Sequence, residues 1–156
     1  MSRRSNDAGD SRGNDENKSR RRIARERAVQ VLFQVDMCKV TPQDAFQNTI
    51  NSLGKVEKQS FAWQLVQGTT DNIEAIDQVI SGLSKGWDMK RMSTVDRNIL
   101  RLAVYEIHHL PNIPYNVTVD EAIELGKEFG NPDSGKFING ILGQLKDEKP
   151  EQKTEK

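Results

Sequence analysis

The sequence predicts an all-α protein, a compact bundle of six to seven helices. Apolar residues recur at spacings of three and four along most of the chain, which is the period of an amphipathic helix. Residues that start or end helices separate these stretches, and no alternating apolar and polar run is long enough to indicate a strand. The turn from Gly82 to Trp87 is the natural division between two halves.

The first predicted helix runs from about Ser19 to Met37, because its apolar positions share one face. The segments 1–17 and 147–156 are almost free of apolar residues. Such segments cannot bury enough surface to offset the entropy lost on ordering, so we predict that both are disordered. The apolar positions of the helix are Ala24, Ala28, Val31, Leu32 and Val35.

The remaining helices of the first half follow from their start signals. Thr41 is a suitable N-cap, and Pro42 fits the first helical position because its missing N–H would be unpaired there. The apolar pattern between residues 61 and 80 then predicts one long helix or two, with a bend near Gly68.

The second half contains three further helical stretches. Ser93 opens the first of them as an N-cap, and the helix ends before Pro111. The segment Thr118–Glu121 has the pattern of a capping box, so it predicts the start of the next helix, which ends at Gly130. Apolar residues between 137 and 145 predict the last helix.

Composition excludes several classes of protein. The chain has 156 residues, 35% of them hydrophobic, with a mean hydropathy of −0.73. A single cysteine, Cys38, excludes an internal disulfide framework and a cysteine-based zinc site. No apolar run approaches the roughly 20 residues of a membrane helix, and the charged N-terminus lacks the apolar core of a secretory signal. We therefore expect a cytoplasmic protein.

No motif in the sequence predicts catalysis, a metal site or a bound cofactor. The spacing from Gly130 to Lys136 is that of a phosphate-binding loop, but Phe137 stands where such a loop needs Ser or Thr, and a helix precedes it instead of a strand. His108 and His109 lie at a helix end, where they complement the helix dipole. Three glutamates at helical spacing are interpreted as a solvated acidic face: Glu121, Glu124 and Glu128.

The strongest local signal is a basic stretch near the N-terminus. The formal net charge of the chain is zero, but residues 1–27 carry nine basic and five acidic side chains. Six of the basic side chains lie between Lys18 and Arg27. Arginine binds phosphate through paired hydrogen bonds and stacks on unpaired bases, so this stretch favours RNA as a partner. The alternative is a solvated first turn of a helix.

Several long motifs together resemble the NusB family of bacterial antitermination factors. They are RRIARERAVQVLF at 21–33, the segment 66–77, VDRNILRLAVYE at 95–106, IPYNVTVDEAIELGKEFG at 113–130 and SGKFINGIL at 134–142. The resemblance covers about residues 20–145 in order. It implies two small three-helix-type lobes, at about 18–83 and 87–146, and a non-enzymatic role in transcription.

The resemblance also implies partners. Family members pair with NusE, a small-subunit ribosomal protein, and bind the single-stranded boxA element of nascent RNA. With NusA, NusG and RNA polymerase they suppress termination, notably on rRNA operons. Some members self-associate by burying the RNA face, so we expect a monomer or a weak homodimer.

Site residues are carried over position by position. Phe137 also fits the apolar stripe of the last helix, so both core packing and RNA contact stay open for it. Asp96 has a second interpretation as a helix-capping residue. The positions matching partner contacts are Asp96, Arg97 and Asp133. The positions matching RNA contacts are Arg20, Arg21, Arg22, Arg25, Gln30, Phe33, Lys136 and Phe137.

The sequence departs from the family where Ile23 replaces a frequent arginine, which Arg20 compensates in this interpretation. The sequence leaves two alternatives open. One is a NusB-like RNA-binding module that serves an rRNA methyltransferase in trans, since the chain shows no Gly-rich cofactor loop of its own. The other is a purely protein-binding helical adaptor.

Overall fold

The structure is a computed structural model that describes residues 5–53 and 60–148, with side chains described for 20–51 and 61–148. Within these ranges it contains seven α-helices and two 3-10 turns and no strand, which confirms the predicted all-α class. The 3-10 turns are Met89–Arg91 and Gly143–Glu148. The helices are α1 (Ser5–Cys38), α2 (Pro42–Leu53), α3 (Ser60–Asp71), α4 (Ile73–Leu83), α5 (Thr94–His109), α6 (Tyr115–Phe129) and α7 (Ser134–Leu142).

The two ends of the chain differ from the sequence prediction. α1 begins at Ser5 instead of near Ser19, so it includes most of a segment whose composition predicts disorder. Extending a helix from a packed segment adds one backbone hydrogen bond per residue and needs no apolar face. At the other end, the second 3-10 turn extends to Glu148. The predicted disorder of residues 1–4 and 149–156 lies outside the described residues.

Two predicted helix starts are confirmed by their caps. The Thr41 hydroxyl accepts a hydrogen bond from the Asp44 N–H at 3.1 Å. The Ser93 hydroxyl accepts one from the Asp96 N–H at 3.0 Å. Each cap satisfies one of the backbone donors that the first turn of a helix leaves without a partner.

The predicted start at Thr118 is wrong. α6 begins at Tyr115, after Pro114 in an extended conformation with φ −61° and ψ 144°. Proline fixes φ at a value that suits a helix entry, so the helix starts one turn earlier than the capping-box pattern indicates. Thr118 then lies inside the helix, where its hydroxyl donates to Glu106 Oε1 at 2.8 Å.

α5 lies at the centre of the protein. It packs against α1, α3, α4, α6 and α7, and ten of its 16 residues are buried, so nearly its whole circumference is covered. The buried apolar residues form one cluster to which both halves of the chain contribute. The lobe limits at 18–83 and 87–146 stay a prediction, and the core extends across the turn between them.

The sequence predicts a bend near Gly68, but the break between α3 and α4 falls four residues later, at Asn72. The Asn72 side-chain amide donates to the Gly68 carbonyl at 2.7 Å, so it satisfies an acceptor at the end of α3. Gly68 has a different role, because a Cβ there would overlap with the Tyr105 ring. The absent side chain lets α3 approach α5 at this ring.

An ionic network joins α1, α4 and α5 near the C-terminal end of α1. Asp36 Oδ2 accepts hydrogen bonds from Arg97 Nε at 3.0 Å, Asn98 Nδ2 at 3.0 Å and Arg101 Nη1 at 3.1 Å. Arg101 also donates to both carboxylate oxygens of Asp77, at 2.8 and 2.9 Å. Burial alone would raise the pKa of Asp36, but the hydrogen bonds from Arg97 and Asn98 and the arginine charges outweigh it, so this pKa lies below its ordinary value.

Replacement of Gly68 by alanine should destabilise the protein, because the added methyl group must displace the Tyr105 ring from the core. We expect a loss of about 1–3 kcal/mol in the free energy of unfolding, the usual cost of overpacking. Urea unfolding measures it. Gly82→Ala is the matched control, since nothing lies within 4 Å of its Cβ position in α4. Equal stability of the two variants would contradict the proposed contact.

Stability should fall as the pH drops through the lowered pKa of Asp36. A carboxyl group whose folded pKa lies below its unfolded value stabilises the fold above the unfolded pKa, near 3.9, and loses that contribution on protonation. Asp36→Asn should therefore cost about 1.5–3 kcal/mol at pH 7, the range for hydrogen bonds to a charged group. The gap to the unmutated protein should narrow below about pH 4. Urea unfolding at both pH values measures the gap, and one that does not change with pH would contradict this assignment.

Candidate nucleic-acid interface

The arginines predicted to bind RNA lie on two adjacent turns of α1 but in different environments. Arg20, Arg21 and Arg22 are exposed, whereas Arg25 is buried. Helical geometry separates them, since residues one apart point about 100° away from each other. Different residues of the stretch therefore contact α3, the buried core and α6.

Arg25 belongs to the core and not to an exposed basic stripe. Only 3% of the residue is exposed. Its Nε donates to Glu106 Oε2 at 2.7 Å, and its Nη2 donates to Glu106 Oε1 at 3.0 Å. The Thr118 hydroxyl donates to the same carboxylate. This paired, hydrogen-bonded geometry is the one in which a buried ion pair can repay the cost of desolvation. The placement does not suit RNA contact and assigns Arg25 a structural role.

Arg22 is paired with a residue that the sequence places on a solvated face. Its Nε and Nη2 donate to the two carboxylate oxygens of Glu121 at 3.0 and 2.8 Å. The Arg22 side chain is 45% exposed, but that of Glu121 is only 8% exposed. The interpretation of Glu121 as a solvated residue is therefore wrong, because the packing of α6 against α1 covers it. Part of the Arg22 side chain stays accessible to solvent, but the Glu121 carboxylate already neutralises its charge.

One turn after Arg22, the contact between α1 and α6 brings two acidic residues together, Glu26 and Glu128. Burial raises the pKa of Glu26, and the neighbouring carboxylate of Glu128 raises it further. Two carboxyl groups in proximity disfavour ionisation of both and repel a phosphate group. This side of α1 is thus less suited to the RNA backbone than the composition indicates.

Arg21 lies on the opposite side of α1. Its guanidinium carbon is 4.4 Å from the centroid of the Phe61 ring in α3, a distance typical of a cation–π contact. Arg25 is 5.7 Å from the same ring. Arg20, also exposed, precedes this pair.

Gln30 and Phe33 line a cleft of about 390 Å³ formed by α1, α2, α5 and α6, with Val95 and Phe129 among the other lining residues. The lining is mostly apolar. The Gln30 side-chain oxygen is buried and has no hydrogen-bond partner among the described residues. The cleft therefore presents aromatic surface from Phe33 and Phe129, which suits stacking with a base or an aromatic side chain.

Lys136 and Phe137 lie on α7. Lys136 is exposed, and Phe137 is half-buried against the core. The Phe137 ring also meets Trp87 edge-on, with centroids 5.9 Å apart. Trp87 is 52% exposed, and sequence reasoning missed it as a site residue. Phe137 thus packs in the core and also has a partly exposed aromatic neighbour.

The three predicted partner-binding residues are placed differently. Asp133 is exposed just before α7. Asp96 is 6% exposed, and its Oδ1 has no hydrogen-bond partner among the described residues. Arg97 is held inside the fold, because it donates to Asp36 and to the Met89 and Met92 carbonyls. Asp133 is the most accessible to a partner, whereas Arg97 fixes the 3-10 turn before α5.

The glycine-rich segment before Lys136 is a connection between helices. Gly130 follows α6, and the Asn131 N–H donates to the Ser134 hydroxyl at 3.0 Å. No strand precedes it in the described chain, so it lacks the context of a phosphate-binding loop. The described residues contain no group of three or more His, Cys, Asp or Glu placed to hold a metal ion. Every described helix is too polar or too short to span a bilayer.

Arg25 and Arg22 should respond differently to replacement by alanine. Arg25→Ala leaves the Glu106 carboxylate buried without its cation, which typically costs 3–5 kcal/mol of stability. Arg22→Ala removes a cation that is 45% exposed, so water can reach the Glu121 carboxylate that is left behind, and the loss should be smaller, about 1–2 kcal/mol. Chemical unfolding of both variants, with Arg91→Ala as an exposed control, measures the difference. Equal losses for Arg22→Ala and Arg25→Ala would contradict the assignment.

Comparison with known proteins agrees with these features. A sequence profile of the NusB family matches residues 22–147. The transcription antitermination protein NusB of Pelotomaculum thermopropionicum is 53% identical over 133 residues, which are 85% of this chain and 92% of that protein. The structure of T. maritima NusB has a TM-score of 0.78 at 36% identity, covering 87% of this chain and 97% of that one. A structure of NusB and NusE in complex with dsRNA has a TM-score of 0.74 at 29% identity, covering 81% and 95%. The chain belongs to the NusB family.

Proposed function

We propose that this protein is a transcription antitermination factor that acts by binding, not by catalysis. In this proposal it binds boxA-type single-stranded RNA together with NusE and joins the RNA polymerase complex with NusA and NusG in the cytoplasm, notably on rRNA operons. The observation that carries the proposal is the family match over residues 22–147, together with the similarity to a NusB solved with NusE in complex with dsRNA.

The accessible charges of the site support an RNA partner. Arg20, Arg21 and Lys136 are exposed, and each can neutralise one phosphate. Partly exposed rings lie on α1 and α7 at Phe33 and Phe137. Basic side chains combined with aromatic faces are the usual means of holding a single strand.

Single-stranded RNA suits this surface better than a duplex. The deep major groove of an A-form duplex is too narrow for side chains to read, so sequence-specific recognition targets unpaired bases. The partly exposed rings and the cleft beside Gln30 and Phe33 can receive a base only after it has left a stack. We therefore expect a preference for the single strand over the same sequence in a duplex.

The acidic remainder of the chain supports a basic protein partner. Residues 1–27 carry an excess of four positive charges, and the chain as a whole is neutral, so the rest carries four negative charges. The exposed Asp133 carboxylate is an acceptor that a basic protein can engage. Complementary charge of this kind mainly steers association and fixes orientation.

A titration of labelled boxA-type RNA tests the proposal. Fluorescence anisotropy, with and without NusE, should show binding that weakens with salt, with a log–log slope of about −2 for three phosphate contacts to a single strand. The competing duplex should bind more weakly. Binding that is absent even with NusE, or independent of salt, would contradict the proposal and would favour a protein-binding adaptor.

Lys136→Ala should weaken RNA binding and make the salt slope shallower by about 0.7, the value for one phosphate contact. The matched control is Lys146→Ala, which removes an exposed lysine from the C-terminal 3-10 turn. Both variants should keep the melting temperature of the unmutated protein. If the two variants bind RNA equally well, Lys136 makes no phosphate contact.

A further inference from the structure

A second groove lies beside α1, on the side away from α6. It encloses about 380 Å³ between α1, α3 and the connection from α5 to α6. This volume is near the lower end of the range for ligand pockets, about 300–1,000 Å³, so the groove is large enough for one nucleotide unit. Among its lining residues are Arg21, Phe61, Gln64, His109 and Asn112.

The groove carries the positive charge of Arg21 and no negative charge from its lining residues. Arg21 has no carboxylate partner among the described residues, in contrast to Arg22 and Arg25, whose guanidinium groups are held by glutamates. Of these three arginines, Arg21 alone can therefore bind a phosphate without first giving up an ion pair.

Arg21 is also held in place by its surroundings. Its guanidinium group lies 4.4 Å from the centroid of the half-buried Phe61 ring. This contact leaves the planar group on the groove wall, so less side-chain freedom is lost when a ligand binds. A guanidinium plane is also a surface on which unpaired bases stack.

Other residues that line the groove supply aromatic and amide groups. His109 is exposed, and its ring stacks on Tyr105 with centroids 5.1 Å apart and planes 18° apart. The side-chain amides of Gln64 and Asn112 are exposed at the same groove. Each amide offers both a donor and an acceptor, the combination that reads the edge of a base.

We propose that this groove is a nucleotide-binding subsite for single-stranded RNA, additional to the surface that carries Lys136 and Phe137. Arg21 binds a phosphate, the neighbouring base stacks on the guanidinium or on His109, and Gln64 and Asn112 bond to the base edge. This inference rests on the proposed function. It extends the RNA footprint from the Arg21 phosphate contact into the groove, so that nucleotides flanking the core element contribute to affinity.

Two labelled RNAs test the subsite with the full chain and NusE present. One carries only the boxA-type element, and the other carries the element with about five extra unpaired nucleotides at each end, enough to pass the roughly four-nucleotide minimum of a single-strand site. The variants are Arg21→Gln, which keeps the stem against Phe61, and the double variant Gln64→Ala/His109→Ala. Arg91→Gln is the charge-matched control, since Arg91 is exposed and does not line the groove. Melting temperatures confirm that every variant is folded.

The long RNA should bind the unmutated chain more tightly than the short RNA. Each groove variant should reduce affinity for the long RNA about fivefold or more, the effect of losing one stacked base. Arg21→Gln should also make the salt slope shallower by about 0.7, and Arg91→Gln should leave that slope unchanged. A photoreactive uridine in the extension should cross-link within 61–64 or 109–113.

The contrary outcomes are distinct. If no RNA binds the unmutated chain, the proposed function fails. If RNA binds and Lys136→Ala weakens it, but the groove variants match Arg91→Gln, the function stands and the subsite is wrong. If the groove variants lose NusE binding and keep their affinity for RNA measured alone, the groove is a protein-docking surface and the subsite is again wrong.

Discussion

The buried pair of Arg25 and Glu106 is the constraint on which the arrangement of this protein depends. It joins α1 to the central helix α5, and Thr118 brings α6 onto the same carboxylate. Two ions removed from water are tolerated only when their geometry is nearly ideal and their remaining hydrogen bonds are made. The positions of the three helices are therefore coupled, and the rest of the basic stretch is oriented by this one fixed arginine.

This constraint separates structural from functional charge along α1. Arg25 is committed to the core, Arg22 is shared with Glu121, and Arg21 lies on Phe61 with no carboxylate partner among the described residues. A second network around Asp36 fixes the other end of the described part of α1 to α5. The helix is thus held by ionic contacts near Arg25 and near Asp36, and the exposed Arg20 and Arg21 precede both anchors, so they can bind a partner without loosening the fold.

Helix periodicity and capping residues were enough to predict the all-α class and the starts at Thr41 and Ser93, because these are local properties of the sequence. The start of α6 was missed because Pro114 sets the backbone before the capping-box pattern at Thr118 applies. The role of Arg25 was missed because its partner lies 81 residues away. One signal was present: Glu106 falls among buried apolar positions of α5, and a charged residue on a core face requires a partner of opposite charge.

A double-mutant cycle on Arg25 and Glu106 measures whether this pair fixes the fold without taking part in RNA binding, with unfolding free energy and RNA affinity determined on the same variants. Arg25→Met and Glu106→Leu should each cost about 3–5 kcal/mol alone, because each leaves one buried charge. The double variant should recover most of that loss and should bind RNA like the unmutated protein. Additive losses would show that the two residues do not act as a pair, and a folded double variant that no longer binds RNA would show that Arg25 has more than a structural role.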